Sequence, residues 1–306
     1  MPISIVTGRL LAPLADRIGC VAYEAGPTGY ELARILDEHG YRVLVVAPSR
    51  TPRATGRSAK SDRLDCRKLA MLAGKSMLRP VHVPTREQEA DRQVLRRREQ
   101  VAKDLRRIKA RIKSFLLQHG LGEPAGLKYW SLASIEALRT LRVLPNLRVA
   151  LDSHLADLDH ATRQLALLDA EVGKLAKSER YGAVVERLRS VPGVGVLTAM
   201  VFCVELPDRE RFATSQQLSA YLGLAPWVGA SGETRRRGPL MKAGNRHVRR
   251  QLVEVAWQWI RYDPEARQTY YRLVSNTGSP NKAICGMARR LGIRLWELAL
   301  DAEGQP

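Results

Sequence analysis

Hydrophobic and polar positions follow different patterns in successive parts of the chain, and the first pattern predicts alternating strands and helices. In residues 1–80, the apolar runs GCVAYE and YRVLVVAP predict strands, and the helical spacing from Thr28 to His39 predicts a helix between them. Two strands joined by a helix form a βαβ unit, which implies a parallel sheet. A second helix is predicted from about Ser61 to Ala73, and RPVHVP is a candidate third strand.

The middle of the chain carries apolar residues in steps of three and four. One such stretch runs from Glu87 to His119 and a second from Leu151 to Leu175. This repeat is typical of long amphipathic helices that pack in pairs. A short helical connector ending at Pro145 joins them. The pattern leaves open whether the two helices pack on each other or on another subunit.

The last part of the chain is predicted to be mainly helical. The turn VPGVG separates two apolar helical stretches, so the backbone N–H groups of Gly193 and Gly195 are candidates for phosphate contacts. A helix, a glycine-rich loop and a helix capped by Asn245 follow, and a last helix begins after Ser279. The patterns together predict an α/β plus α fold in three parts, which are residues 1–86, 87–180 and 181–306.

The charge of the chain makes nucleic acid the first partner to consider. Lys and Arg number 50 and Asp and Glu 31, for a net charge of +19. The excess lies in residues 1–80 (+6), 81–120 (+6) and 187–306 (+8), around a spacer of net charge −1. A bound polyanion explains this unevenness. The apolar runs are too short to cross a bilayer or to form a signal peptide, so we expect a cytoplasmic protein with no membrane partner.

Three carboxylates are candidates for a metal site. Glu24 ends the first predicted strand, and Asp62 and Asp65 share one face at the start of a helix. Carboxylates converging from a strand end and a helix can hold Mg²⁺ for phosphoryl transfer, because hard cations prefer oxygen ligands. The alternative is structural: acids in the first turn of a helix interact favourably with its dipole, and Glu24 is a candidate cap.

A serine and a group of basic residues are candidates for phosphate chemistry. Ser231 lies between glycines in GASGETRRRG, where a serine can attack a phosphodiester while arginines stabilise the charge. The alternative is that Ser-Gly is an ordinary turn. Residues 232–250 hold seven Lys and Arg against one Glu, which favours phosphate contact over a solvated face. The basic candidates are Arg235, Arg236, Arg237, Lys242, Arg246, Arg249 and Arg250.

Several stretches of the chain together carry the motifs of one known family. They include YEAGPTGYEL, KSDRLDCRKLA, LRSVPGVG and YLGLAPWVGASGETRRRGPLMKAGNRHVRRQLVEVAW. On these motifs the chain resembles the DEDD transposases of the insertion-sequence one-hundred-and-ten family, the bridge-RNA-guided recombinases related to Piv-type DNA invertases. The matching stretches are in the family's order and cover nearly all of residues 20–300.

The resemblance implies a RuvC-like, RNase H-like nuclease domain, a coiled-coil spacer and a C-terminal transposase domain with a helix-hairpin-helix-like turn and a serine loop. Glu24, Asp62 and Asp65 match the second, third and fourth acids of the DEDD set, which would bind Mg²⁺. Ser231 matches the serine that would join covalently to a DNA 5′-phosphate. The implied partners are DNA, a structured guide RNA and further copies of the chain, as a homo-oligomer.

The sequence departs from the family at its first acid. Asp16 is the one Asp before Glu24, and it follows LLAPLA in a predicted helix, so it does not replace the missing residue. We therefore expect a truncated sheet with an uncovered strand edge, a chain that is inactive alone and prone to aggregate, and weakened Mg²⁺ binding. The alternative functions are a nucleic-acid-binding remnant without enzymatic activity and a RuvC-like junction nuclease.

Overall fold

The computed structural model describes residues 11–48, 51, 62–231, 234–241 and 243–303. The chain forms two compact units, residues 1–85 and residues 86–306. The predicted spacer and the predicted C-terminal region lie within the same unit. None of the helices in the described part of the chain is both long and apolar enough to span a membrane.

The first unit contains the predicted βαβ arrangement. Strand β1 (Val21–Glu24) pairs in parallel with β2 (Val43–Val46), with Val21 opposite Val43 and Glu24 opposite Val46. Helix α1 (Glu31–Glu38) connects the strands, and its Ala33 and Leu36 are buried. Helix α2 (Asp62–Gly74) packs against β1. Among the described residues β1 has no second partner strand.

The predicted third strand RPVHVP does not form as a strand among the described residues. Pro80 makes an isolated antiparallel bridge to Val46, and the Val81 N–H donates to the Val45 carbonyl at 2.7 Å. The ladder ends there because Pro80 and Pro84 have no N–H to donate. Two prolines within six residues confine such a segment to the edge of a sheet.

The second unit begins with two long helices that pack on each other. Helix α3 (Arg86–Gln118) and helix α5 (Pro145–Leu175) run antiparallel, joined by a segment that contains α4 (Leu132–Arg139). Their shared core consists of Ile108, Ile112, Phe115, Leu116, Leu151, Leu155, Leu158 and Ala161 with Leu127 and Leu138. This packing within one chain decides between the two arrangements that the apolar repeat left open for this seam.

A polar pair lies in the same seam. Arg98 is placed among the apolar positions of α3, and its Nε donates to Oδ1 of Asp169 on α5 at 2.7 Å. Nearer the other end of the pair of helices, the rings of Phe115 and His154 meet with centroids 6.0 Å apart. These two contacts fix the antiparallel register, because low numbers on α3 meet high numbers on α5.

The rest of the second unit is a helical bundle with one hairpin. The described helices are α6 (Gly182–Arg189), α7 (Val196–Glu205), α8 (Ser215–Tyr221), α9 (Arg246–Tyr262), α10 (Pro264–Thr277) and α11 (Pro280–Glu303). They bury a common apolar core that includes Phe202, Leu252 and Leu291. The bundle confirms the predicted helices on both sides of VPGVG and the cap at Asn245, whose Oδ1 accepts from the His247 N–H at 3.0 Å.

The predicted glycine-rich loop is wrong in its centre, which is a β-hairpin. Strands β3 (Pro226–Ser231) and β4 (Thr234–Leu240) pair antiparallel, with Ser231 opposite Thr234 and Val228 opposite Arg237. Glycines and a proline interrupt the alternation of apolar and polar residues that predicts strands. The signal that remains is the two-residue spacer Gly-Glu between the strands, which is a typical hairpin length.

Candidate functional site

Two of the three candidate carboxylates lie along the same cleft of the first unit. Glu24 ends β1, and Asp65 lies on α2, which packs against that strand. Both line a cleft of about 570 Å³ together with Cys20, Cys66 and other residues of β1 and α2. Both carboxylates are exposed to solvent. The strand end and the helix therefore bring these two acids to one surface.

The third carboxylate is placed only by its backbone. Asp62 is the first residue of α2, one helical turn before Asp65, and its side chain lies outside the described part of the structure. The described residues hold no group of three or more Asp, Glu, His or Cys arranged to bind a metal ion. Asp16 lies in a 3₁₀ turn (Ala12–Arg17) and does not complete such a group.

The donor set in the cleft fits a hard divalent cation. Glu24 and Asp65 offer carboxylate oxygens, which are the ligands that Mg²⁺ prefers. A metal held by carboxylates would supply positive charge to the oxygens of a reacting phosphate.

Ser231 ends strand β3, at the tip of the hairpin. The three arginines pair with the strand that carries the serine: Arg235 lies opposite Ala230, Arg236 opposite Gly229 and Arg237 opposite Val228. The backbone register thus places three positively charged residues opposite the three residues that precede the serine. The side chains of these residues and the whole of Lys242 lie outside the described part of the structure.

The VPGVG turn packs against helix α9. Gly193 has φ +86°, and a Cβ there would lie 3.0 Å from Cβ of Gln258 and from the backbone N of Trp259. Gly195 is extended and is the N-cap of α7. The packing alone accounts for a glycine at position 193, whether or not the turn also contacts phosphate.

The three candidate arginines of α9 have different surroundings. Arg246 is exposed and makes no ion pair with a described residue. Arg249 is half-buried, with Nη1 3.5 Å from the Gly223 carbonyl oxygen. Arg250 donates to Glu99 on α3 at 2.7 Å and to Glu254 at 3.2 Å. Contact between Arg250 and a phosphate would therefore compete with ion pairs inside the protein, whereas Arg246 is available.

Sequence reasoning missed the acidic partner of Arg250. Glu99 accepts a hydrogen bond from Arg250, lies 2.5 Å from Nδ1 of His247 and pairs with Lys103 at 2.6 Å. Burial alone would raise the pKa of Glu99, but the hydrogen bonds and charges of Lys103 and His247 lower it to about 2. Glu99 is thus ionised at neutral pH and fixes the start of α9 to α3.

Comparisons with known proteins match both units of the chain. The model described as Transposase IS116/IS110/IS902 family matches residues 185–272, and a DEDD transposase model of the IS110 type matches residues 7–120. The chain is 34% identical to the putative transposase y4qE of Sinorhizobium fredii over 92% of this chain and 75% of that protein. It is 29% identical to the transposase for insertion sequence element IS1533 of Leptospira borgpetersenii, over 79% and 71% of the two chains. It is 25% identical to the transposase for insertion sequence element IS1111A of Coxiella burnetii, over 94% and 79%.

Proposed function

Because this chain belongs to the IS110 family of DEDD transposases, we propose that it cleaves DNA and transfers strands of an insertion sequence through Ser231 and a set of metal-binding carboxylates. The observation that carries the proposal is the cleft lined by both Glu24 and Asp65, within the region that matches the DEDD transposases. The hairpin with Ser231 lies within the second matched region.

The carboxylates have a role in binding a metal. Glu24, Asp62 and Asp65 would hold Mg²⁺, which when bound stabilises negative charge on phosphate oxygens.

Ser231 has the role of nucleophile. Its Oγ attacks phosphorus, the bond from phosphorus to the 3′ oxygen breaks, and that oxygen takes up a proton as the serine loses one. The product is a 5′-phosphate joined to serine and a free 3′-hydroxyl. A second 3′-hydroxyl can attack the same phosphorus and release the serine, so strands are resealed without ATP. Arg235, Arg236 and Arg237 lie on the paired strand, opposite the three residues that precede the serine, and would stabilise charge on the phosphate.

The remaining basic residues have a role in holding nucleic acid. Arg246 is exposed at the start of α9, and the net charge of +8 over residues 187–306 attracts polyanions. We propose that Lys242, Arg249, Arg250 and the VPGVG turn with Gly193 and Gly195 contribute to the same surface. A structured guide RNA would choose the DNA sequence by base pairing, and the transposase would act as a homo-oligomer in the cytoplasm.

A covalent protein–DNA adduct separates the proposal from its alternatives. A transposase that uses Ser231 forms an adduct that survives denaturation, and Ser231→Ala abolishes it while nucleic-acid binding survives. A junction nuclease that uses water as nucleophile cleaves without any adduct. A remnant that only binds nucleic acid neither cleaves nor forms an adduct.

A further inference from the structure

The hairpin that carries Ser231 is closed at its base by backbone contacts. The Asn245 N–H donates to the Tyr221 carbonyl at 2.7 Å, and the Met241 N–H donates to the Ala225 carbonyl at 3.0 Å. Gly223 and Gly244 touch between these bonds, and a Cβ on Gly244 would lie 2.8 Å from Cα of Gly223. The chain therefore enters and leaves the hairpin at one tight crossing.

One buried acidic residue contacts both sides of that crossing, with its carboxylate on one side and its main-chain carbonyl on the other. Glu205, the last residue of α7, is only 3% exposed. Its Oε2 accepts from Nδ2 of Asn245 at 2.8 Å, and its main-chain carbonyl accepts from the Tyr221 hydroxyl at 2.9 Å. Tyr221 precedes the hairpin and Asn245 follows it, so Glu205 ties the two ends of the hairpin to α7.

Arg96 on the long helix α3 holds the same carboxylate. Its Nε donates to Oε1 of Glu205 at 2.8 Å and its Nη2 donates to Oε2 at 3.0 Å. Burial alone would raise the pKa of Glu205, but the hydrogen bonds and charge of Arg96, together with Asn245, lower it. Glu205 is therefore an anion at neutral pH, oriented by a bidentate partner.

A contribution to folding stability alone does not explain the partly buried ion pair between Arg96 and Glu205. Removing two charges from water costs about as much as their attraction returns, and an apolar pair of similar volume commonly serves stability as well. An ionic pair does, however, orient its hydrogen-bond partners in one geometry. The partner oriented here is Asn245, which follows the hairpin, while Tyr221 is held by the main-chain carbonyl of the same residue.

The oxygen and the nitrogen of the Asn245 side-chain amide have different roles. Its Oδ1 accepts from the backbone N–H groups of His247 and Val248 and so caps α9. Its Nδ2 is the group that donates to Glu205. A serine at this position can still cap the helix but cannot donate to Glu205 in the same way. Asn245→Ser therefore tests the bond to Glu205 separately from helix capping.

We propose that Glu205, oriented by Arg96, is a positioning residue that holds the hairpin so that Ser231 is presented in one geometry for attack. This rests on the proposed function, since it concerns the delivery of the same nucleophile. A nucleophile misplaced by about 1 Å loses on the order of 100-fold in rate. Glu205 therefore affects the covalent step and leaves binding of nucleic acid unchanged.

The test compares Glu205→Gln, Arg96→Gln and Asn245→Ser with the unchanged chain and with the control Glu186→Gln, whose side chain is 78% exposed on α6. Hydrogen exchange is measured at the Met241 and Asn245 amides, which close the hairpin, and at the Ala256 amide inside α9. We expect exchange at the first two amides to become about tenfold faster in the three variants, with no change at Ala256 or in the control. The rate of adduct formation on Ser231 should fall by at least about tenfold at unchanged affinity for DNA.

Unchanged exchange at Met241 and Asn245 in Glu205→Gln would overturn the proposal, and so would faster exchange spread evenly through the second unit, because that indicates general destabilisation. An adduct that forms at the normal rate in all three variants would also overturn it. If the unchanged chain forms no adduct, the proposed nucleophile is wrong, and the exchange measurement still decides whether Glu205 holds the hairpin.

Discussion

Gly193 and Trp259 approach so closely that a Cβ on Gly193 would lie 3.0 Å from the backbone nitrogen of Trp259. Gly193 also has φ +86°, in the left-handed region that disfavours other residues. The VPGVG turn is thus packed directly on the helix that follows the serine hairpin. A phosphate contact made by this turn would be held in fixed relation to α9.

The first prediction concerns the packing of this turn on α9. Gly193→Ala should destabilise the chain by about 1–3 kcal/mol, because it adds both backbone strain and overlap with α9. Urea unfolding measures the change. Gly173→Ala is the matched control: Gly173 is helical within α5 and a Cβ there meets nothing within 4 Å, so the substitution should stabilise by about 0.5–1 kcal/mol. If Gly193→Ala left the free energy of unfolding unchanged, the turn would not pack on α9 as described.

A second prediction concerns pH. The pKa of Glu99 is lowered to about 2 in the folded chain, so its ionisation stabilises the fold above the ordinary value of 4.5. That stabilisation is lost as pH falls from about 4.5 towards 2. Glu99→Gln should cost about 1–2 kcal/mol at pH 7 and progressively less below pH 4.5. Urea unfolding from pH 7 down to pH 3 measures the difference.

Glu136→Gln controls for the removal of one carboxylate, since Glu136 is 69% exposed and lies 3.8 Å from its arginine partner. It should have little effect at any pH. If Glu99→Gln behaved like Glu136→Gln, the ion-pair network between α3 and α9 would contribute nothing to the fold.

The hairpin arginines should determine part of the salt dependence of nucleic-acid binding. Replacing Arg235, Arg236 and Arg237 with Gln should reduce the slope of log affinity against log salt by roughly 0.9 for each phosphate of B-form DNA that the arginines neutralise. Fluorescence anisotropy over a range of NaCl concentrations measures the slope. The control replaces the exposed Arg163, Lys174 and Lys177, which change the net charge equally within the neutral spacer. Equal slopes for the two triple variants would show that the hairpin arginines do not bind phosphate.

Replacing Asp65 should weaken Mg²⁺ binding without changing the free energy of unfolding. Asp65 is exposed on α2, so Asp65→Asn should leave the free energy of unfolding within about 0.5 kcal/mol of that of the unchanged chain. It should weaken binding of Mg²⁺, measured by isothermal titration calorimetry with MgCl₂ alone, because the amide carries no charge. Asp37→Asn on α1, away from the cleft residues, is the control. Equal Mg²⁺ binding by both variants would contradict the assignment of Asp65.

Much of the fold follows from local patterns. The βαβ unit is read from apolar runs and the long helices from their seven-residue repeat, since both depend on neighbours close in the chain. The helix cap at Asn245 is local as well. The position of Glu24 follows from the rule that strand ends gather side chains at one edge of a sheet, and Asp65 reaches the same cleft because α2 packs on β1.

The parts that sequence reasoning missed depend on distant residues. Arg96 and Glu205 are 109 positions apart, and Glu99 and His247 are 148 apart, so no local period reveals their pairing. The hairpin was missed because glycine and proline weaken its alternation, while pairing across the strands still forms it. Helix α10 had a local signal, since Asp263 caps it through the Glu265 N–H at 3.0 Å and Pro264 begins it.

The proposed function depends most directly on covalent joining of Ser231 to DNA. The measurement uses the purified chain with Mg²⁺, end-labelled DNA spanning the junction of the insertion sequence, and the structured RNA encoded by the same element. Denaturing electrophoresis and peptide mass spectrometry then locate any adduct, with Ser275→Ala, an exposed serine on α10, as the matched control. We predict a denaturation-resistant adduct on Ser231 that Ser231→Ala abolishes and Ser275→Ala retains, in contrast to the inactivity that the unmatched first acid led us to expect. Recombination at the normal rate by Ser231→Ala, or strand cleavage with no adduct, would contradict it.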